Sequence, residues 1–232
     1  MALRNCPPGH TSRSSCLHNL ATCLRDRFKQ GGIPSDLDES IDLHQAALAL
    51  CPPGHSDRSS CLNNLAVGLG DRFRHGGILS DLDEAIDLLQ EALVLRPPGH
   101  SFRALSLNTL ATCLQARFDQ RSVLSDLDEA IDLLREALDL CTPGDSLRSL
   151  SLHNLATSLQ QRFKQRGVRS DLDESIDLRR AALALCPPGH SFRSLSLNNL
   201  AISLRDRFNQ RGALSDLDEA IDLHQAALAL CP

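Results

Sequence analysis

The residues of this chain best placed for chemistry lie in a word that recurs along it. It reads Cys6-Pro7-Pro8-Gly9-His10, Cys51-Pro52-Pro53-Gly54-His55 and Cys186-Pro187-Pro188-Gly189-His190, with variants Arg96-Pro97-Pro98-Gly99-His100 and Cys141-Thr142-Pro143-Gly144-Asp145. A thiolate and an imidazole so close together suggest zinc, and Cys-Pro can serve as a thiolate ligand to haem. Zinc wants four ligands at compact spacing. Each word offers at most two, across a stiff Pro-Pro turn, and Arg96 and Asp145 break the set. No metal or cofactor is expected. The Asp-Leu-Asp-Glu words, such as Asp81–Glu84, bring carboxylates together but lack the Gly turn and distant bidentate Glu of a calcium loop. There is no phosphate-binding glycine loop and no nucleophile–base order, so no catalytic residue and no enzyme is expected.

The words are spaced 45 residues apart and mark units 6–50, 51–95, 96–140, 141–185 and 186–230. A period of this size signals a stacked array in which each unit contacts its neighbours. In the second unit Leu62, Leu65, Ala66, Leu69 and Phe73 fall at helical spacing, as do Leu82, Ala85, Ile86, Leu89 and Leu93. The hydroxyl residue after each word (Thr11, Ser56, Ser101, Ser146, Ser191) is expected to cap the first helix, and Ser80-Asp81-Leu82-Asp83-Glu84 to open the second with a capping box. Gly76-Gly77 ends the first helix and Pro97-Pro98 the second. No segment alternates with period two. Domain 1–232 is therefore expected to be one all-α solenoid of ten helices.

The formal net charge of −5 argues against nucleic-acid or membrane-surface binding. It is uneven, −4 in the second unit and +2 in the fourth. The cysteines number nine and contain no CxxC pair. Those one repeat apart are expected to stand too far apart for a disulfide, as apolar fillers in a reducing cytoplasm. No apolar stretch is long enough to span a bilayer, and none at the start resembles a signal peptide. The recurring arginines Arg13, Arg58, Arg103, Arg148 and Arg193, and Arg27, Arg72, Arg117, Arg162 and Arg207, are expected to pair with second-helix carboxylates or cap helix ends.

Leu62-Asn63-Asn64-Leu65-Ala66, then Leu69, Ala85, Ala92 and Pro97, resembles the tetratricopeptide repeat (TPR), most closely the longer repeat of kinesin light chains. Near-identical units of this kind are also similar to fungal TPR arrays found beside CHAT or nucleotide-binding signalling domains. The resemblance implies a right-handed superhelix, first helices lining a concave groove, and a protein-interaction scaffold. It points to two columns as contacts for a protein or peptide: His18, Asn63, Asn108, His153 and Asn198, and beside them Asn19, Asn64, Asn154 and Asn199, with Thr109 in the third unit. Asn offers two donors and an acceptor, which suits a peptide backbone. The second column could instead hold the stack together. The large second-helix residue of the motif is here His44, Leu89, Leu134, Arg179 and His224, so looser packing is expected there. The alternative function is an architectural or self-assembly module that spaces a neighbouring effector domain. The chain stops at Cys231-Pro232, where a sixth unit would begin. A segment of a longer array is therefore expected, with complementary ends that associate weakly head to tail.

Overall fold

Helical periodicity between Pro-Pro words gives helices. The computed structural model describes residues 12–142 and 144–230, with Ser146 as backbone only. They form α1 (Arg13–Gly31), α2 (Pro34–Ala49), α3 (Arg58–Gly76), α4 (Leu79–Val94), α5 (Arg103–Arg121), α6 (Leu124–Leu140), α7 (Ser146–Arg166), α8 (Arg169–Ala184), α9 (Arg193–Arg211) and α10 (Leu214–Leu228). Among the described residues there is no strand. The word beginning at Cys6, with Thr11, the opening Met1–Asn5, Pro143 and the closing Cys231-Pro232 lie outside them.

Contacts divide the chain into two compact units, Met1–Ser122 and Val123–Pro232, with the division in the turn between the helices of the third repeat. In the first unit α1 packs on α2, α2 on α3, α3 on α4 and α4 on α5. In the second, α6 to α10 pack in the same chain order. Helix on helix in sequence order is the packing of an all-α solenoid of repeats. The first unit buries Leu62, Leu65, Leu69, Leu82, Ile86 and Leu89. The second builds its core from Leu172, Ile176, Leu200, Ala201, Leu204 and Ala220. Each such Leu or Ile contributes about 1.5–3 kcal/mol when buried.

The helix starts differ from the capping expected from sequence. α3 opens at Arg58, and neither its N-cap Asp57 nor Ser56 makes a side-chain cap bond. Instead His55 Nδ1 accepts the amide of Asp57 at 3.1 Å, and His100 and His190 accept those of Phe102 and Phe192, both at 3.2 Å. The recurring histidine thus locks the turn. Where Asp145 replaces it, its carboxylate accepts the Leu147 amide at 2.9 Å.

The second helices open one residue before the expected Ser80, at Leu79, and no capping box forms. The carboxylates are committed elsewhere. Arg72 Nε and Nη2 fork onto buried Asp81 at 2.6 and 2.9 Å, and its Nη1 reaches Asp38 of α2 at 3.4 Å, so one guanidinium joins three helices. Arg162 does the same with Asp171 and, at 3.2 Å, Asp128, and Arg207 with Asp216 and Asp173. Arg27 forks onto Asp36 at 2.6 and 2.7 Å. Such bidentate charged bonds are among the stronger polar contacts, and Arg207 holds the Asp216 carboxyl below its ordinary range. The other arginine column closes the interhelix turns. Arg58 and Arg148 donate to the carbonyls of Cys51 and Cys141 at 2.8 and 3.1 Å.

The looser packing expected at the large second-helix position is not found in four units. His44, Leu89, Leu134 and Arg179 are buried to 5% exposure or less, whereas His224 is exposed. Within their own pairs His44 meets the His18 ring and Arg179 donates to Gln160.

Four first helices end on a left-handed glycine, Gly32, Gly77, Gly167 and Gly212, at φ of 67 to 71°. The fifth ends on Ser122 at φ 54°, where a Cβ costs roughly 1 kcal/mol. Ser122→Gly is expected to raise the urea midpoint by an equivalent of about 0.5–1 kcal/mol. A lowered midpoint would contradict this reading of the turn.

Candidate functional site

The polar face of the first helices is ordered by one register. Side chains 46 residues apart meet across neighbouring first helices. In the first unit Asn64 Nδ2 lies 3.1 Å from His18 Nδ1, and Arg25 Nε lies 3.9 Å from Asp71. In the second, Gln160 Nε2 donates to Asp206 at 2.7 Å. Lys29 and Arg74 also converge on Asp71, and Lys164 on Asp206 at 3.5 Å. This carboxylate column was missed in the sequence, although the 45-residue phase of Asp26, Asp71 and Asp206 could have flagged it.

The two columns expected to contact a ligand are not equivalent. Asn64, Thr109, Asn154 and Asn199 are half-buried, Asn19 is exposed, and one turn on Val67, Thr112, Thr157 and Ile202 are half-buried too. Within each unit these residues recur as a stripe, partly exposed, at the same positions of the first helices. In the other column Asn63 and Asn108 are only 5% and 2% exposed. Asn63 Oδ1 accepts from Ser106 Oγ at 2.9 Å and from Arg96 at 3.4 Å, and Asn108 Nδ2 donates to the Ala104 carbonyl at 3.0 Å. His18, His153 and Asn198 are half-buried and turn toward the second helix of their own pair. The His18 and His44 rings lie 5.4 Å apart, and His224 Nδ1 donates to Asn198 Oδ1 at 2.9 Å. The structure thus leaves the second column partly exposed in each unit and gives the first column closer partners.

Among the described residues no three His, Cys, Asp or Glu side chains are grouped to hold a metal ion, and no helix is long and apolar enough to cross a membrane. The seven described cysteines are free. Cys51 and Cys61, ten residues apart in sequence, meet with sulfurs at 3.3 Å. Burial and the neighbouring Cys51 push the Cys61 thiol up to about 12, and burial takes Cys113 to about 11, so neither is a nucleophile near neutral pH.

A family model described as tetratricopeptide repeat matches residues 58–100 and 194–229. No curated protein matches. Among solved structures, a Podosopora anserina protein described as a kinesin light chain with nearly identical TPR-like repeats shares 20% identity, covers 97% of this chain and 100% of its own, and superposes with a TM-score of 0.66. BtubC (BKLC) from P. vanneervenii is similar at 18% identity and TM-score 0.67, over 100% of this chain and 88% of that one. YrrB, described as a TPR protein with an unusual peptide-binding site, is similar at 18% identity and TM-score 0.61, over 99% and 97%.

The histidine pair at the base of the stripe is electrostatically exposed to pH. Burial, His18 and Arg25 together push His44 from an ordinary 6.5 to about 4. The fold therefore favours neutral His44, and the unfolded chain takes up a proton first on acidification. This contribution to stability is fully present above pH 6.5 and is lost as pH falls through 4. By linkage its full size is about 3 kcal/mol. Leu89 and Leu134 fill the equivalent position elsewhere, so His44→Leu is expected to fold and to flatten the fall in urea midpoint between pH 6.5 and 4. Two parallel pH profiles would show that His44 is not the sensitive group.

Proposed function

Taking the chain as a tetratricopeptide-repeat array with kinesin-light-chain-like units, we propose that it is a non-enzymatic interaction scaffold that takes a peptide segment of a partner protein along the open stripe of its first helices. The observation that carries this is the recurring stripe: half-buried Asn64 in the first unit and half-buried Asn154 and Asn199 in the second, each followed one turn on by a β-branched side chain. Amide side chains at one rung spacing can exchange hydrogen bonds with an extended backbone whatever its sequence. Asn63 and Asn108, buried behind them, hold the helices that present the stripe, while Asn19, His18, His153 and Asn198 flank it. The description of YrrB as having a peptide-binding site supports the same use of this fold. The acidic net charge favours a protein partner over nucleic acid or a membrane surface, and the free thiols suit the cytoplasm.

The test is a peptide selected on the immobilised chain from a random library. Changing Asn64, Asn154 and Asn199 together to Ala is expected to weaken its binding at least about tenfold, or roughly 1.4 kcal/mol. The melting temperature should fall by no more than roughly 5 °C, the cost of losing the Asn64–His18 bond, so that the chain stays folded at the assay temperature. Unchanged affinity would remove the stripe from the function.

A second reading, a self-assembly module, has its own observation. Ile221 of α10 is 46% exposed, whereas Ile41, Ile86, Ile131 and Ile176 at the same repeat position are 2% or less, and Leu228 is 73% exposed. A second copy laid against α10 would cover that stripe. On this reading the chain associates at high concentration and Leu228→Glu suppresses association without changing the melting temperature. Light scattering that reports a monomer up to about millimolar protein, far above the affinity of a useful interface, would exclude it.

A further inference from the structure

The second unit contains a cavity of about 530 Å3 between the start of α7, the end of α8 and the start of α9. Its wall includes Ser149, His153, Leu185, Phe192 and Ser196. Ninety residues earlier, the first unit has the same wall in Ser59, Asn63, Leu95, Phe102 and Ser106, and across the whole lining only three positions differ in residue type. In the first unit that space is filled by Arg96, which is 2% exposed. Its Nε donates to Ser59 Oγ at 3.3 Å, and its Nη1 to Asn63 Oδ1, the Phe102 carbonyl and Ser106 Oγ. Its Nη2 donates to the Ser59 carbonyl at 3.2 Å and Ser60 Oγ at 3.3 Å, and its Cζ lies 5.7 Å from the centre of the Phe102 ring. The residue equivalent to Arg96 in the second unit is Cys186, whose side chain ends at one sulfur. Accordingly Ser149 and Ser196 are half-buried, where Ser59 and Ser106 are buried.

We propose that this cavity is a socket for the guanidinium of an arginine carried by a partner peptide. The proposal deepens the peptide-binding reading and rests on it. The first unit shows the occupant in place, supplied by the chain itself. The second unit keeps the hydroxyls of Ser149 and Ser196, the carbonyls of Ser149 and Phe192 and the Phe192 ring. His153 replaces Asn63, and burial together with Arg179 lowers its pKa, so its ring is neutral and can accept. Leu150 replaces Ser60, giving up one acceptor and offering apolar surface to the methylene stem of an incoming side chain. Asp145 replaces His55 and brings a carboxylate to the wall, one oxygen of which holds the Leu147 amide. Of the nearby cations, Arg179 acts on His153 and donates to Gln160, and the other two have counterparts in the first unit. Arg148 and Arg193 donate to the carbonyls of Cys141 and Cys186, as Arg58 and Arg103 donate to those of Cys51 and Arg96 beside the buried guanidinium. A planar fork of five donors matches acceptors spread in this way, whereas the point charge of lysine does not.

The probe is a fluorescein-labelled, amidated alanine pentapeptide with a central arginine, compared with its lysine and norleucine counterparts by anisotropy on the full chain. The arginine peptide is expected to bind at least about tenfold more tightly than either. Cys186→Arg should plug the socket from within and abolish binding, and Arg96→Cys should open a second socket and raise the stoichiometry from one to two. Equal binding of the norleucine peptide, no saturation by the arginine peptide, or binding that survives Cys186→Arg would each overturn the proposal. Should Cys186→Arg fail to fold, Phe192→Ala, at a 62% exposed ring, decides in its place, with a loss of about tenfold expected and unchanged binding overturning the proposal. Library-selected peptides that still depend on Asn64, Asn154 and Asn199 while the arginine probe fails would sink the socket and leave the stripe reading standing. Loss of that dependence would sink the stripe reading by itself.

Discussion

Every helix pair in this chain carries more apolar surface than two helices can cover, and the structure follows from where the surplus goes. The first and fourth pairs turn the isoleucine of their second helix toward the next first helix: Ile176 joins the core of Leu200 and Leu204, and Ile41 lies against Gly68, where a Cβ would come within 3.2 Å of its Cγ1. A small residue recurs at the facing position in Cys23, Cys113, Ser158 and Ser203. Close approach there brings α2 near enough to α3 for Arg72 to span Asp81 and Asp38. The guanidinium clamp and the apolar contact are thus coupled. Ion pairs of this partial exposure contribute modestly on their own, so their role is to fix the register that the apolar faces need. Stability in such an array is a sum over neighbours.

That arrangement was legible in the sequence only in part. Period, helix count and apolar stripes were readable from Leu62, Leu65, Leu69 and their repeats, because burial imposes a spacing that polar residues cannot imitate. Helix starts were not. Ser80 and Asp83 satisfy the local rule for a capping box, but Asp83 is drawn to Arg121 of the next first helix and Asp81 to Arg72, and these bonds outweigh the local one. The histidine of each Pro-Pro-Gly-His word looked like a ligand by composition. Its acceptor role toward the amide two residues on depends on a turn that no periodicity describes.

The binding columns show the same limit at finer scale. Asn63 and Asn64 are identical in chemistry and adjacent, about 100° apart on the helix. Both flank the leucine stripe, so the stripe alone does not say which of them a neighbour covers. What distinguishes them is their partners: Asn63 accepts from Ser106 and Arg96, whereas Asn64 meets His18. The exposure of each is therefore set by residues of neighbouring elements, which the sequence of the first helix does not contain.

Repeats so nearly identical acquire individuality at a few buried positions, and charge is the sharpest way to do it. Arg96 and Arg179 are both buried cations, yet they are solved differently. Arg96 finds acceptors for every nitrogen in hydroxyls and carbonyls of its neighbours. Arg179 donates to Gln160 at 2.7 Å, while its Nε and Nη1 have no hydrogen-bond partner among the described residues, and burial lowers it to about 10. In a single-core domain an unsatisfied guanidinium would weaken the whole fold. In an array the cost falls on one rung and its neighbours, and well-packed units elsewhere offset it. A solenoid can therefore vary its interior unit by unit, filling the gap with Leu in one pair, His in another and Arg in a third, while the outer face keeps its repeat. That freedom lets one unit fill with its own arginine the cavity that another leaves open.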